Sequence, residues 1–68
     1  MEPFEERLVE EYKELADRIE KLEAYKDTMI RDVTISNAHY RMVMAQYNIM
    51  LAYEQILRMR LEDLEVEY

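Results

Sequence analysis

The sequence predicts an all-α chain, a two-helix antiparallel hairpin that assembles into an oligomeric helical bundle. Three observations carry that expectation. Glycine is absent and the single proline is Pro3, so nothing punctuates the chain after its third residue, as in long helices. Apolar residues recur at spacings of three and four along two segments, separated by a short stretch of β-branched and capping residues around Asp32–Ser36. The 68 residues make a single domain, and a core of that size supplies only about 3–5 kcal/mol, which small folds supplement with disulfides, metal or association. Cysteine is absent and histidine occurs once, which removes disulfides and thiolate sites and argues against a His-based zinc site. Association remains, as a homodimer or homotetramer.

The first helix is expected over about residues 3–29. Pro3 suits a first-turn position, and Glu5 and Glu6 face the positive end of the helix dipole. Leu8, Tyr12, Leu15, Ile19 and Leu22 form one apolar stripe, which Phe4 and Met29 extend. Glu14/Arg18 and Asp17/Lys21 stand four apart, where opposite charges add a few tenths of a kcal/mol. The turn is expected over about 30–36, with Asp32, Thr34 or Ser36 as candidate caps of the second helix and Thr34 or Ser36 preferred.

The second helix, over about residues 37–65, differs in kind. Glu54 is its only acid between Asn37 and Arg60, against nine acids from Glu2 to Glu23. One stripe holds Val43, Met50, Leu57, Leu61 and Leu64, with Tyr47 alongside. A second holds Met42, Ala45, Ile49, Ala52, Ile56 and Met59, at the 3.5-residue period of a helix–helix seam. The stripes are centred roughly 140° apart, so a single hairpin partner cannot cover both. The closing acids Glu62, Asp63, Glu65 and Glu67 oppose the dipole at a helix C-terminus, so this tail is expected to fray or to pair with a neighbouring chain.

Between the two stripes stand His39, Gln46, Tyr53 and Arg60, each seven residues after the last. Two readings stay open for this column. One is a buried hydrogen-bonded network that fixes the register of packed helices. The other is the lining of a cleft between chains, with Gln offering donors and acceptors, Tyr a flat face and Arg a fork for phosphate. Arg7, Arg18, Lys21 and Tyr25 lie along one edge of the first helix's stripe. They either cover the core edge with their aliphatic stems or receive the phosphates and stack the bases of a small nucleotide.

Chemistry for catalysis is missing. No glycine means no phosphate-cradling loop, Ser36 and His39 have no acid placed to complete a triad, and the carboxylates of the first helix face no partner histidines for a metal pair. No enzyme activity, cofactor or metal is expected. A formal charge of −7 argues against general binding to DNA or RNA, and no apolar run approaches the roughly 20 residues of a membrane span.

The run Phe4-Glu5-Glu6-Arg7-Leu8-Val9-Glu10-Glu11, then Leu15, Ile19-Glu20-Lys21-Leu22 and Tyr25, resembles the first helix of very small proteins of tailed bacteriophages related to a protein of crAss-like phages. The second-helix pattern of that family is similar to Gln46, Met50, Tyr53, Ile56, Leu57 and Arg60 as they stand here. The resemblance implies a phage accessory protein acting in the cytoplasm of the infected bacterial host, of the kind that includes anti-CBASS sponges for cyclic oligonucleotide signals. It implies a cyclic dinucleotide or related signal held between protomers by Gln46, Tyr53 and Arg60, with Arg7, Lys21, Tyr25 and His39 as further candidates. The glutamate-rich face of the first helix supports an alternative, an acidic helical module that inhibits a host protein by direct binding.

Overall fold

A computed structural model describes residues 2–68. Two helices, α1 over Pro3–Arg31 and α2 over Asn37–Asp63, pack against each other as a hairpin. The molecule measures 48 × 15 × 14 Å. A 29-residue helix at about 1.5 Å per residue is about 43 Å long, so the rod is one helix long and two helices across, with no third layer.

α1 starts with Pro3 in its first turn and ends where Asp32 turns extended (φ −96°, ψ 104°). The Asp32 carboxylate then accepts hydrogen bonds from the Thr34 backbone N–H at 2.9 Å and the Thr34 hydroxyl at 2.6 Å. This local closure suits a short polar side chain after a helix. These bonds hold the Asp32 carboxyl below its ordinary pKa near 3.8, the Thr34 hydroxyl contributing most. Ser36 is the N-cap of α2, its hydroxyl accepting from the His39 N–H at 3.1 Å and so satisfying one of the helix's orphan donors. Thr34 belongs to the turn. The helices thus end at Arg31 and Asp63, against expected ends near 29 and 65.

The hairpin core joins Leu8, Leu15 and Ile19 of α1 to Leu57 and Leu61 of α2, the last two with no exposed surface. Tyr12, Tyr47 and Met50 pack around it, and Met29 with Val43 is buried toward the turn. Two expected core residues stand outside. Phe4 is half exposed at the hairpin's open end, and Leu64 is exposed where α2 terminates.

The tail corrects the expectation of fraying. Glu65 takes the left-handed conformation (φ 57°), the Val66 N–H donates to the Leu61 carbonyl at 3.0 Å, and the Glu65 N–H donates to the Glu62 carbonyl at 3.0 Å. This pair of bonds is a Schellman cap. It turns the chain so that Val66, not Leu64, is buried in the core cluster. Tyr68 then meets Tyr12 edge-on, ring centroids 4.8 Å apart, and its hydroxyl donates to Glu62 at 3.2 Å. Apolar residues two and four places past the cap outweigh the unfavourable charge on the dipole.

The second stripe of α2 faces away from α1. Met42, Ile49, Ile56 and Met59 are all more than half exposed. Among the described residues no helix is long and apolar enough to cross a membrane.

Candidate functional site

The two sides of the hairpin differ in how their cations are used. On one side they are tied up within the chain: Arg58 pairs with Glu54, and the Lys26 ammonium sits 4.4 Å from the centroid of the Tyr47 ring. On the other side run the cationic edge of α1 and the seven-residue column of α2. Among the described residues Arg7, Arg18 and Arg60 make no ion pair or side-chain hydrogen bond there.

Register decides which residues meet across this second side. The five-residue turn and the Ser36 cap place His39 opposite Tyr25. The Tyr25 hydroxyl lies 3.3 Å from His39 Nε2, and the rings meet nearly edge-on at 6.4 Å. One and two turns further along, Arg18, Lys21, Leu22 and Tyr25 of α1 meet Gln46 and Met50 of α2 around an open depression of about 350 Å³. Its floor is the apolar Leu22 and Met50; the polar groups stand on its rim. Lys21 also pairs with Asp17 at 2.9 Å, both exposed, a contact of small energetic value in water. At the open end of the hairpin Phe4, Arg7, Leu8, Glu11 and Arg60 line a second depression of about 250 Å³.

The structure therefore joins Arg7 with Arg60 in one depression, Lys21 and Tyr25 with Gln46 in the other, and Tyr25 with His39 beside it, so that the groove on this side is two separate depressions along one face of the hairpin. Tyr53, between Gln46 and Arg60 on the column, is 41% exposed and lines neither depression. The column is not a buried network within the chain. All four residues are exposed, and no polar or charged side chain among the described residues is buried. The physical reason is width: α1 covers only the Val43–Leu57–Leu61 stripe, and the column begins at the edge of that contact. Leu22, Met50 and Phe4 were assigned to core stripes by their periodicity, yet they also line the depressions. Phe4 and Leu22 stand at the margin of the α1 stripe, which is the signal that marks them, whereas Met50 lies in the middle of its stripe and carries no such signal.

Chemically the groove offers what an anionic, partly aromatic molecule needs. Guanidinium forks and an ammonium suit phosphate, a tyrosine ring suits a base, a carboxamide can both donate and accept, and an apolar floor supports a planar ring. Four of the nine Lys and Arg residues line it, in a chain of formal charge −7. Carboxylates oppose them: Glu11 lines the same depression as Arg7 and Arg60, Asp17 pairs with Lys21, and Glu14 stands between the cations on the same edge of α1. Among the described residues no group of His, Asp and Glu is placed to hold a metal ion.

A family model described as Sequestin matches residues 2–63, covering both helices and the groove. No curated protein and no solved structure matches the chain. The family's name suggests a sequestering, ligand-binding protein.

Proposed function

The chain belongs to the Sequestin family, and we propose that it is a non-catalytic phage immune-evasion protein that sequesters a cyclic dinucleotide or related cyclic nucleotide defence signal between protomers of a homo-oligomer in the host cytoplasm. The observation that carries the reading is the groove: uncommitted Arg7, Arg18 and Arg60, with Lys21, Tyr25 and Gln46, gathered on one side of an otherwise acidic hairpin. A phosphate would sit at the Arg18/Lys21 rim and a base over Leu22 and Met50 against Tyr25, while the Arg7/Arg60 depression, about 16 Å further along α1, would take a separate anionic group. Because the depressions are open, a single hairpin encloses too little of such a ligand, and tight capture requires a second chain to cover it. Tyr53 and His39, at the margins, would take part through that second chain.

Thermal denaturation with a panel of cyclic di- and trinucleotides tests the reading. A ligand present at about 100 times its dissociation constant stabilises by about 2.7 kcal/mol, so a micromolar ligand at about 100 μM raises the melting temperature by several degrees. Arg18→Glu with Lys21→Glu should abolish the shift and leave the helical signal intact. No stabilisation by any member of the panel would sink the proposal. The exposed acids Glu6, Glu10, Asp17 and Glu20 on the outer face of α1 favour a second reading, an acidic module that blocks a host protein. A specific, salt-sensitive pull-down without any nucleotide effect would select it.

A further inference from the structure

We propose that the outer face of α2 is a docking surface for a second copy of this chain, and that the two α2 helices pack antiparallel, each alanine of one seam receiving an isoleucine of the other. The exposed stripe Met42, Ala45, Ile49, Ala52, Ile56, Met59 repeats at three, four, three, four, three, the period of a supercoiled helix pair. Its four large members are 54–68% exposed, and α1 cannot reach them.

Size and charge both select the orientation. Antiparallel about a two-fold axis between Ile49 and Ala52, Ala45 meets the partner's Ile56, Ile49 meets the partner's Ala52, and Met42 meets the partner's Met59. Every small residue then faces a large one, as close packing requires. A parallel pair in register would instead stack Ala on Ala and Ile on Ile. Charge points the same way. The first half of α2 carries His39 and Arg41 and no acid, whereas its second half carries Glu54, Glu62 and Asp63 against Arg58 and Arg60. Arg41 has no ion-pair partner among the described residues. Antiparallel docking sets it level with the partner's Arg60 and within one turn of the partner's Glu62 and Asp63, while parallel docking sets Arg41 against Arg41 and Asp63 against Asp63. The column His39–Gln46–Tyr53–Arg60 borders this stripe, so the docked helix also walls the groove. The pairing itself does not depend on what the groove binds.

The native chain has no cysteine, which permits a direct test of orientation. Met42→Cys and Met59→Cys variants, one isotopically labelled, are oxidised separately and after mixing. Disulfide-linked dimers confined to the mixture are the expected result. Dimers formed by each variant alone would overturn the antiparallel arrangement, and a native chain that sediments as a monomer at about 500 μM would overturn the docking surface itself. An exchange of sizes gives a second readout. Ala45→Ile alone overpacks the seam and Ile56→Ala alone leaves a hole in it, each weakening the dimer at least about tenfold, whereas the double variant restores the fit and recovers most of the loss. A double variant as weak as the singles would overturn the pairing. Both positions are exposed in the single hairpin, so its helical signal is the control for folding. Nucleotide thermal shifts on the same samples separate the two proposals, since dimers without ligand and ligand binding without dimers are distinct results.

Discussion

Glu65 is the position at which a single substitution should raise stability. It is the only non-glycine residue with positive φ among the described residues, at 57°, and it holds the C′ place of the Schellman cap that returns Val66 to Leu61. A Cβ in the left-handed region costs roughly 1–2 kcal/mol. Glycine removes that cost but adds about 0.5–1 kcal/mol of unfolded-state entropy, so the net gain is about 0.5–1 kcal/mol. Removing the carboxylate also helps, because Glu65 lies at the negative end of α2, by about 0.3–1 kcal/mol. Glu65→Ala isolates that second effect, since alanine keeps a Cβ. The informative quantity is therefore Glu65→Gly against Glu65→Ala, in urea or thermal unfolding followed by helical circular dichroism at one fixed protein concentration. A difference of about 0.5–1 kcal/mol corresponds to about 2–8 °C in a domain of this size. Glycine no better than alanine would mean that the cap is not formed and that Val66 is not held in the core.

Leu57→Ala should cost about 2–5 kcal/mol, because Leu57 has no exposed surface and touches both helices' buried leucines; against so small a core the expected result is loss of the helical signal at room temperature. Ser36→Ala should cost about 1 kcal/mol by leaving the His39 N–H without its acceptor, measured by denaturant midpoint, with Ser36→Asp retaining most of the native value. For Asp32, whose pKa is lowered by Thr34, the ionised form stabilises the turn above the unfolded pKa near 3.8, and that contribution is lost as pH falls through the lower folded value. The Thr34 amide proton resonance should follow this transition in acid, and Asp32→Asn should remove it.

How much of this was legible beforehand differs from element to element. The stripes of both helices were, because a 3.6-residue period projects directly onto a face. Leu8, Leu15 and Ile19 on α1, and Val43, Leu57 and Leu61 on α2, all lie where periodicity placed them. The tail was not. Its charge spoke against order, while the competing effect, burial of Val66 and the Tyr68–Tyr12 contact, depends on a backbone reversal at Glu65 that no glycine announced. The groove was half legible. Each helix displayed its own polar edge, but the buried network within the chain required α1 to be broad enough to cover both, and it is not.

The sequence by itself determined that there are two long helices, that one break separates them, and that α2 carries more apolar surface than α1 can hide, since all three follow from composition and local period. Only the tertiary structure decided which residues face one another. The Asp32–Thr34 turn and the Ser36 cap set the register that puts Tyr25 beside His39 and Arg18 and Lys21 beside Gln46, and the return of the chain at Glu65 decided that Val66 and not Leu64 closes the core. Register is the sum of a turn's dihedral angles and a helix's starting point, and a shift of one residue rotates every side chain on α2 by about 100°. No periodic pattern, however clear, carries that information.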